Sequence, residues 1–194
     1  MADKPRTIIS FYSRKAVPTG VEVTLVSLDE QGTPSFRSLY SHQDISADPG
    51  DAERKMDLLL AREKKELPHL LDAPVICDEM AKTHLIWARE TTSLRHLEPP
   101  TSAVVDEFIK PVEKQLDDSF DRVHDTLTSH PDYHAIREQE GPMEELDISN
   151  AMTGFYKSKF DLVKSVRKTL EAKAQNRQSA EYAPLPDPEE TLSR

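Results

Sequence analysis

The sequence predicts an α+β fold in which a small antiparallel sheet comes first and helices follow. In the first forty residues, apolar and β-branched side chains alternate with polar ones, as they do in strands. From about residue 48 onwards, the apolar side chains recur at steps of three and four residues, as they do in helices. The 194 residues include 14 prolines and 5 glycines, and the prolines separate the helical segments.

Three candidate strands account for the N-terminal sheet. Residues 6–12 (RTIISFY) are β-branched and aromatic, residues 21–28 (VEVTLVSL) alternate, and residues 35–40 (SFRSLY) follow the glycine-containing loop DEQGTP. We therefore expect a three-stranded antiparallel meander, which needs helices packed on it to be stable. Strands followed by a helix also begin the ribonuclease-H-like fold. Because RTIISFYSRK carries no carboxylate to bind the metal of such a nuclease, we do not expect that activity.

Helices are predicted for residues 48–67 and 75–90, although HLIWARE at 84–90 would also fit a strand. The longest apolar stripe comes next and contains Pro111, which is expected to kink or divide its helix. Its members are Val104, Val105, Phe108, Ile109, Val112, Leu116, Phe120, Val123 and Leu127. A second stripe, which Ser149 or Asn150 is expected to cap, consists of Ile148, Met152, Phe155, Val163, Val166, Leu170 and Ala174.

The two long stripes predict an antiparallel helical hairpin. Residues 101–150 hold 13 acidic and 4 basic side chains, whereas residues 157–177 hold 7 basic and 2 acidic ones, so the two helices should attract each other. The expected organisation is an α+β N-terminal part at 1–97, the helical hairpin at 101–177 and a flexible, Pro-rich, disordered tail at 178–194.

Composition excludes several classes of protein. The formal net charge of −10 argues against binding of nucleic acid or an anionic membrane by the protein as a whole. The single cysteine, Cys77, cannot form an intrachain disulfide, which favours a reducing compartment. The start MADKPRTIIS lacks the apolar core of a signal peptide, and no run approaches 18 apolar residues. We expect a soluble, cytoplasmic protein.

One window, HDTLTSHPDYH at 124–134, holds three of the seven histidines. In a continuous helix His130 and His134 would share a face, with His124 and Asp125 nearby, which is the spacing of helical metal ligands. Pro131 disfavours that arrangement, because the residue before a proline avoids the helical region. SHPD instead predicts a helix end and a new helix that starts at Pro131. We therefore expect a turn rather than a metal site, and no cofactor is predicted.

Two charged segments are further candidates. The acidic residues Asp117, Asp121 and Asp125 share a helix face, which is typical of a solvated surface. The candidate partner-binding residues of the basic segment 157–177 are Lys157, Lys164, Arg167, Lys168 and Lys173. Their first expected role is pairing with the acidic helix, and contact with nucleic-acid phosphates is the alternative. Trp87, the sole tryptophan, fits either a core position or a partner-binding hot spot.

Function is inferred mainly by exclusion. The sequence has no nucleophile elbow, phosphate-binding loop or dinucleotide fingerprint. We expect a non-enzymatic interaction protein, such as an adaptor, an assembly subunit or an inhibitor of a larger complex, which docks a protein partner or a second copy through its helical hairpin. The alternatives are a metal-dependent hydrolase or nuclease that uses the window 124–134 and a nucleic-acid-binding accessory protein that uses the basic segment 157–177.

Overall fold

The computed structural model describes residues 5–181, and the N-terminal strands followed by helices confirm the α+β class. The elements are β1 (Thr7–Val17), β2 (Gly20–Asp29), β3 (Pro34–His42), α1 (Asp51–Glu66), β4 (Leu70–Asp72), α2 (Pro74–Arg95), α3 (Ser102–Thr128), α4 (Pro131–Glu140) and α5 (Pro142–Glu181). Of the segment expected to be a tail, residues 178–181 are the end of α5, and 182–194 lie outside the described residues.

The sheet is mixed and has four strands in the order β3-β2-β1-β4, one more than expected. β1 pairs antiparallel with β2, and β2 pairs antiparallel with β3. The additional strand, β4, runs parallel to β1, with Ser10 opposite Leu70 and Tyr12 opposite Asp72. Its side chain Leu71 is only 2% exposed. Burial therefore holds this short strand in place, although its three residues show no strand periodicity.

Both faces of the sheet are covered. On one face, α1 packs against β2 in an outer core formed by Val21, Val23, Leu25, Ala52, Met56 and Leu60. The central core, which includes Phe11, Val26, Leu28, Ile76, Val123 and Phe155, joins β1 and β2 to α2, α3 and α5. Because this core draws on residues from both sides of the linker at 98–100, the sheet and the long helices bury one another.

A separate helical core lies between α2, α3 and α5, formed by Trp87, Leu94, Val105, Ile109, Val112, Leu116, Val163, Val166 and Leu170. α3 and α5 lie side by side, and the Arg167 guanidinium on α5 bonds to the Asp106 and Glu113 carboxylates on α3. α3 continues through Pro111, so the proline does not divide it. The segment HLIWARE lies within α2 and is helical.

The start of α5 differs from the expected position. The helix begins at Pro142, with Glu144 and Glu145 in its first turn, where acidic side chains interact favourably with the helix dipole. Ser149 and Asn150 lie inside α5, so the prediction that one of them caps this helix is wrong. The apolar stripe indicated a start near Ile148, because the preceding turns are largely polar and leave no periodic signal.

The loop between β2 and β3 packs directly on the α5 backbone. A Cβ atom at Gly32 would lie 2.2 Å from the Phe155 nitrogen, and one at Gly154 would lie 2.3 Å from the Gln31 carbonyl oxygen. Gly32 also has a φ of +78°, a conformation that side-chain-bearing residues rarely adopt. The two glycines therefore allow a backbone-to-backbone contact that fixes α5 against the sheet.

None of the helices within residues 5–181 is long and apolar enough to cross a lipid bilayer.

Candidate functional site

The histidine window is divided as Pro131 predicts. α4 starts at Pro131, and His130 is its N-cap, whose Nδ1 accepts a hydrogen bond from the Asp132 amide at 3.2 Å. The other ring nitrogen, Nε2, lies 3.0 Å from the Asp72 carbonyl oxygen, so it carries the proton and donates to β4. His130 thus joins the start of α4 to the edge of the sheet, with both ring nitrogens engaged.

The remaining groups of the window lie on the surface. The His124 side chain is 59% exposed, the Asp125 side chain is 84% exposed, and His124 Nδ1 lies 3.6 Å from an Asp125 carboxylate oxygen. The His124 ring stacks on Phe120 with a centroid separation of 6.0 Å, and His134 is exposed on α4. Within residues 5–181, none of these side chains belongs to a group of three convergent metal-ligating residues.

One wall of a groove contains part of this window. The groove, which we call the α3–α5 groove, lies between α3, α4 and α5 and has a volume of about 620 Å³, within the range of ligand pockets. Its apolar residues are Phe120, Val123, Leu127, Tyr133, Leu146, Met152 and Tyr156. Its polar residues include Asp121, His124, Thr128, Arg137, Glu145, Ser149 and Thr153. An apolar floor with a polar rim is the usual anatomy of a protein-binding surface.

Exposed apolar side chains extend the groove towards the start of α5. Leu146, which lines the groove, is 50% exposed, and Met143 one turn earlier is 70% exposed. The Arg137 guanidinium and the Glu145 carboxylate, 2.8 Å apart, form an ion pair between α4 and α5 at the rim. The structure thus brings apolar residues that lie far apart in the sequence to one groove, where most of them are buried and Leu146 is half-exposed.

Trp87 is 7% exposed and belongs to the helical core. It also lines a smaller cavity of about 240 Å³ between α2 and α3, and its indole nitrogen has no hydrogen-bond partner among the described residues. The same cavity is lined by Thr83 and Ser119, whose hydroxyl oxygens are 2.8 Å apart. The Tyr156 hydroxyl lies 3.0 Å from the Ser119 hydroxyl, which extends this buried polar chain to α5.

The five basic candidates fall into two groups. Arg167 pairs with Asp106 and Glu113, and the Lys173 ammonium binds the Glu98 carboxylate at 2.9 Å, so both contact the protein itself. Hydrogen bonding from Arg167 lowers the pKa of Asp106, and the Lys173 hydrogen bond lowers that of Glu98. The other three, Lys157, Lys164 and Lys168, are exposed.

Two buried reactive groups lie outside any cavity described above. Cys77 is 1% exposed, and burial, with Asp78 and Asp72 adding to it, raises the pKa of its thiol to about 12. A thiol with so high a pKa is a poor nucleophile. Lys159, which the sequence did not single out, is 4% exposed, and burial lowers the pKa of its ammonium to about 8.

A second feature that sequence reasoning missed is a cluster of His69, Glu140 and Glu144. The ligand atoms of the three side chains all lie within 4.8 Å of one another. His69 Nε2 is 2.9 Å from a Glu144 carboxylate oxygen and 3.4 Å from a Glu140 carboxylate oxygen. Because His69 lies 71 residues before Glu140, no local spacing in the sequence could have indicated the cluster.

Comparison with known proteins gives no further information on function, because no protein-family model, curated protein or solved structure significantly matches this chain.

Proposed function

We propose that the protein is a non-enzymatic interaction protein, such as an adaptor, an assembly subunit or an inhibitor of a larger complex. It docks its partner through the helical hairpin of α3 and α5, and the partner binds in the α3–α5 groove. The observation that supports this proposal is the apolar lining of the groove, in which Phe120 is partly exposed and Leu146 is 50% exposed, with the exposed Met143 one turn before Leu146. Exposed apolar surface with a polar rim is typical of an interaction site.

The shape of the groove suits a helix of the partner. An amphipathic helix binds in a groove between helices by inserting apolar side chains at steps of three and four residues. On α3, Phe120, His124 and Thr128 line one wall at four-residue steps and are at least partly exposed, with Phe120 as the apolar contact. Leu146 and Met152 on α5 provide the opposite wall.

The charge around the groove suits a basic partner. Residues 101–150, which supply α3, α4 and the start of α5, hold 13 acidic and 4 basic side chains. Asp121 lies on the rim itself and the nearby Asp125 is exposed, whereas Glu145 on the rim is paired with Arg137. Complementary charge speeds association and aligns the partner more than it increases affinity. The partner segment is therefore a basic amphipathic helix.

The test is affinity purification from the native cell followed by mass spectrometry, with the wild type and two leucine variants compared. Leu146→Asp places a charge on the groove floor, whereas Leu58→Asp places the same charge on α1, where Leu58 is 74% exposed. We expect the wild type and Leu58→Asp to recover the same partner protein. With Leu146→Asp the recovery of that partner should fall at least about tenfold, because charges are depleted from interface cores.

An apolar fluorescent dye gives an independent measurement on the purified chain. Dye bound by the wild type should be displaced by a synthetic basic amphipathic peptide, and Leu146→Asp should bind less dye than Leu58→Asp. Equal recovery of all proteins by the two variants, together with equal dye binding, would contradict the proposal.

A further inference from the structure

The cluster of His69, Glu140 and Glu144 has the composition and geometry of a metal site. We propose that it binds one divalent transition-metal ion, with Zn²⁺ as the preferred ion, through His69 Nε2 and one oxygen from each carboxylate. This proposal rests on different residues from the α3–α5 groove and holds whether or not the groove binds a partner.

The ligand distances support the proposal. The His69 nitrogen lies 2.9 Å from the Glu144 oxygen and 3.4 Å from the Glu140 oxygen. In a tetrahedral zinc site with bonds of about 2.0–2.1 Å, neighbouring ligand atoms are about 3.3 Å apart. At these two pairs of atoms an ion requires side-chain movements of only a few tenths of an ångström, and the Glu140 and Glu144 oxygens, which lie within 4.8 Å of each other, would have to reach about the same separation.

A hydrogen bond alone accounts poorly for the arrangement. His69 Nε2 carries at most one proton, which it cannot donate fully to both carboxylates, and those carboxylates repel each other. The Arg6 guanidinium, 3.8 Å from Glu144, offsets part of this repulsion, but its side chain is 65% exposed. A divalent cation would compensate both carboxylates at once.

Three different elements supply the ligands. His69 lies in the loop between α1 and β4, Glu140 is the last residue of α4, and Glu144 is in the first turn of α5. The two glutamates converge because the chain turns at Gly141, whose φ is +86°, before α5 begins at Pro142. The His69 side chain is only 10% exposed, so this ligand is held between the elements rather than free on the surface.

The ligand chemistry selects the class of ion. Mg²⁺ and Ca²⁺ prefer oxygen ligands alone, whereas an imidazole nitrogen with carboxylates suits Zn²⁺ and its neighbours in the first transition series. The three side chains leave a fourth tetrahedral position for water. A bound ion would link the loop before β4 to the corner between α4 and α5, and so connect the sheet edge to the helices.

The test is calorimetric titration of Zn²⁺ into chelator-treated, full-length protein, with Mg²⁺ and Ca²⁺ in parallel. The ligand variants are His69→Asn, Glu144→Gln and Glu140→Gln. Asparagine tolerates the left-handed backbone of His69, where φ is +48°. Glu140, 47% exposed, can be replaced with little effect on folding. Matched controls are Glu138→Gln on the same helix and His134→Asn, which removes an exposed histidine.

We expect one Zn²⁺ per chain in the wild type and in both controls, and affinity at least about tenfold weaker in each ligand variant, as is typical of lost metal contacts. Added Zn²⁺ should raise the melting temperature of the wild type but not that of Glu144→Gln, and Co²⁺ should give the visible absorption of a tetrahedral site. The proposal is overturned if the wild type binds no stoichiometric Zn²⁺, if Mg²⁺ binds as tightly, or if His134→Asn abolishes binding while Glu144→Gln and Glu140→Gln preserve it.

Discussion

Lys159 is a charged side chain in a position that suits an apolar one. It is 4% exposed, and its Nζ donates to the Phe155 carbonyl oxygen at 2.9 Å while lying 3.2 Å from the centre of the Phe155 ring. Among the described residues, no carboxylate lies within ion-pair distance of this ammonium. Burial therefore lowers the pKa of Lys159 from 10.5 to about 8, because the charged form is poorly solvated there.

The Lys159→Met variant should be more stable than the wild type at neutral pH. Methionine keeps an unbranched apolar side chain and removes the buried charge, so we expect the free energy of unfolding at pH 7 to rise by about 1–3 kcal/mol. Between pH 8 and 10.5 the folded wild type has lost this proton while the unfolded chain retains it, so wild-type stability rises relative to the variant.

Urea unfolding of both proteins at neutral and alkaline pH measures this difference. The difference between the free energies of unfolding of the two proteins cancels the titration of all other groups. An advantage of Lys159→Met that stays constant from neutral pH to about pH 10 would show that Lys159 is not buried as a destabilising charge.

At the scale of elements, the contact between the β2–β3 loop and α5 reverses the usual effect of replacing a glycine inside a helix. Replacing glycine by alanine inside a helix usually stabilises it by about 1 kcal/mol. At Gly154 the added Cβ would lie 2.3 Å from the Gln31 carbonyl oxygen. We expect Gly154→Ala to lower the free energy of unfolding by about 1–3 kcal/mol, the usual cost of overpacking. Thermal unfolding monitored by circular dichroism measures this loss of stability.

Two matched comparisons separate this steric effect from backbone strain. Thr153→Ala changes an exposed neighbour on the same helix and should be close to neutral. Gly32→Ala should cost more than Gly50→Ala, although both glycines have positive φ, because the nearest atom to a Cβ at Gly50 is an Arg54 side-chain nitrogen 4.0 Å away. If Gly154→Ala is as stable as Thr153→Ala, the loop does not pack closely on α5.

The sequence predicted those strands and helices whose own apolar residues recur with a regular period. The three long strands and the helices around Met56, Ile109 and Val163 carry alternation or an apolar stripe, and each is present. β4 was missed because three residues between prolines cannot show a period, and only its pairing with β1 makes it a strand. The first turns of α5 were missed because they are mostly polar and held by the chain reversal at Gly141.

At the scale of the whole molecule, the cores make the sheet and the helices depend on one another. The outer core and the central core share strand β2, and the central core includes Phe155 on α5. Met56 in the outer core is completely buried, so Met56→Ala should cost about 2–5 kcal/mol. Because the cores are connected, we expect the loss to appear equally in the helical core, where Trp87 lies.

Trp87 fluorescence is a specific probe of the helical core, because it is the only tryptophan. In Met56→Ala its unfolding midpoint should fall together with the far-ultraviolet circular dichroism signal, since coincident transitions indicate two-state unfolding. A Trp87 midpoint that stays at its wild-type value while circular dichroism shifts would instead show that the helical core unfolds separately from the outer core that contains Met56.

Functional surfaces were the least predictable from the sequence. The window 124–134 resembled a metal site because its three histidines are close together in the sequence. In the structure, however, His124 and His134 are exposed and His130 is a helix cap. The cluster of His69, Glu140 and Glu144 depends on a helix corner and a loop before β4, and the groove depends on how α5 packs against α3. Such convergence comes from tertiary packing, which single-sequence periodicity does not contain.

The order in which the central core is assembled has a consequence during synthesis on the ribosome. Strands β1 and β2 emerge first, but the face that carries Phe11 and Val26 is covered in part by Phe155 on α5, the last of the helices within residues 5–181 to emerge. Until α5 has left the exit tunnel, a nascent chain displays the part of this apolar face that Phe155 covers. A chain that stalls before Gly154 therefore exposes apolar surface that the complete chain buries, and such surface promotes aggregation.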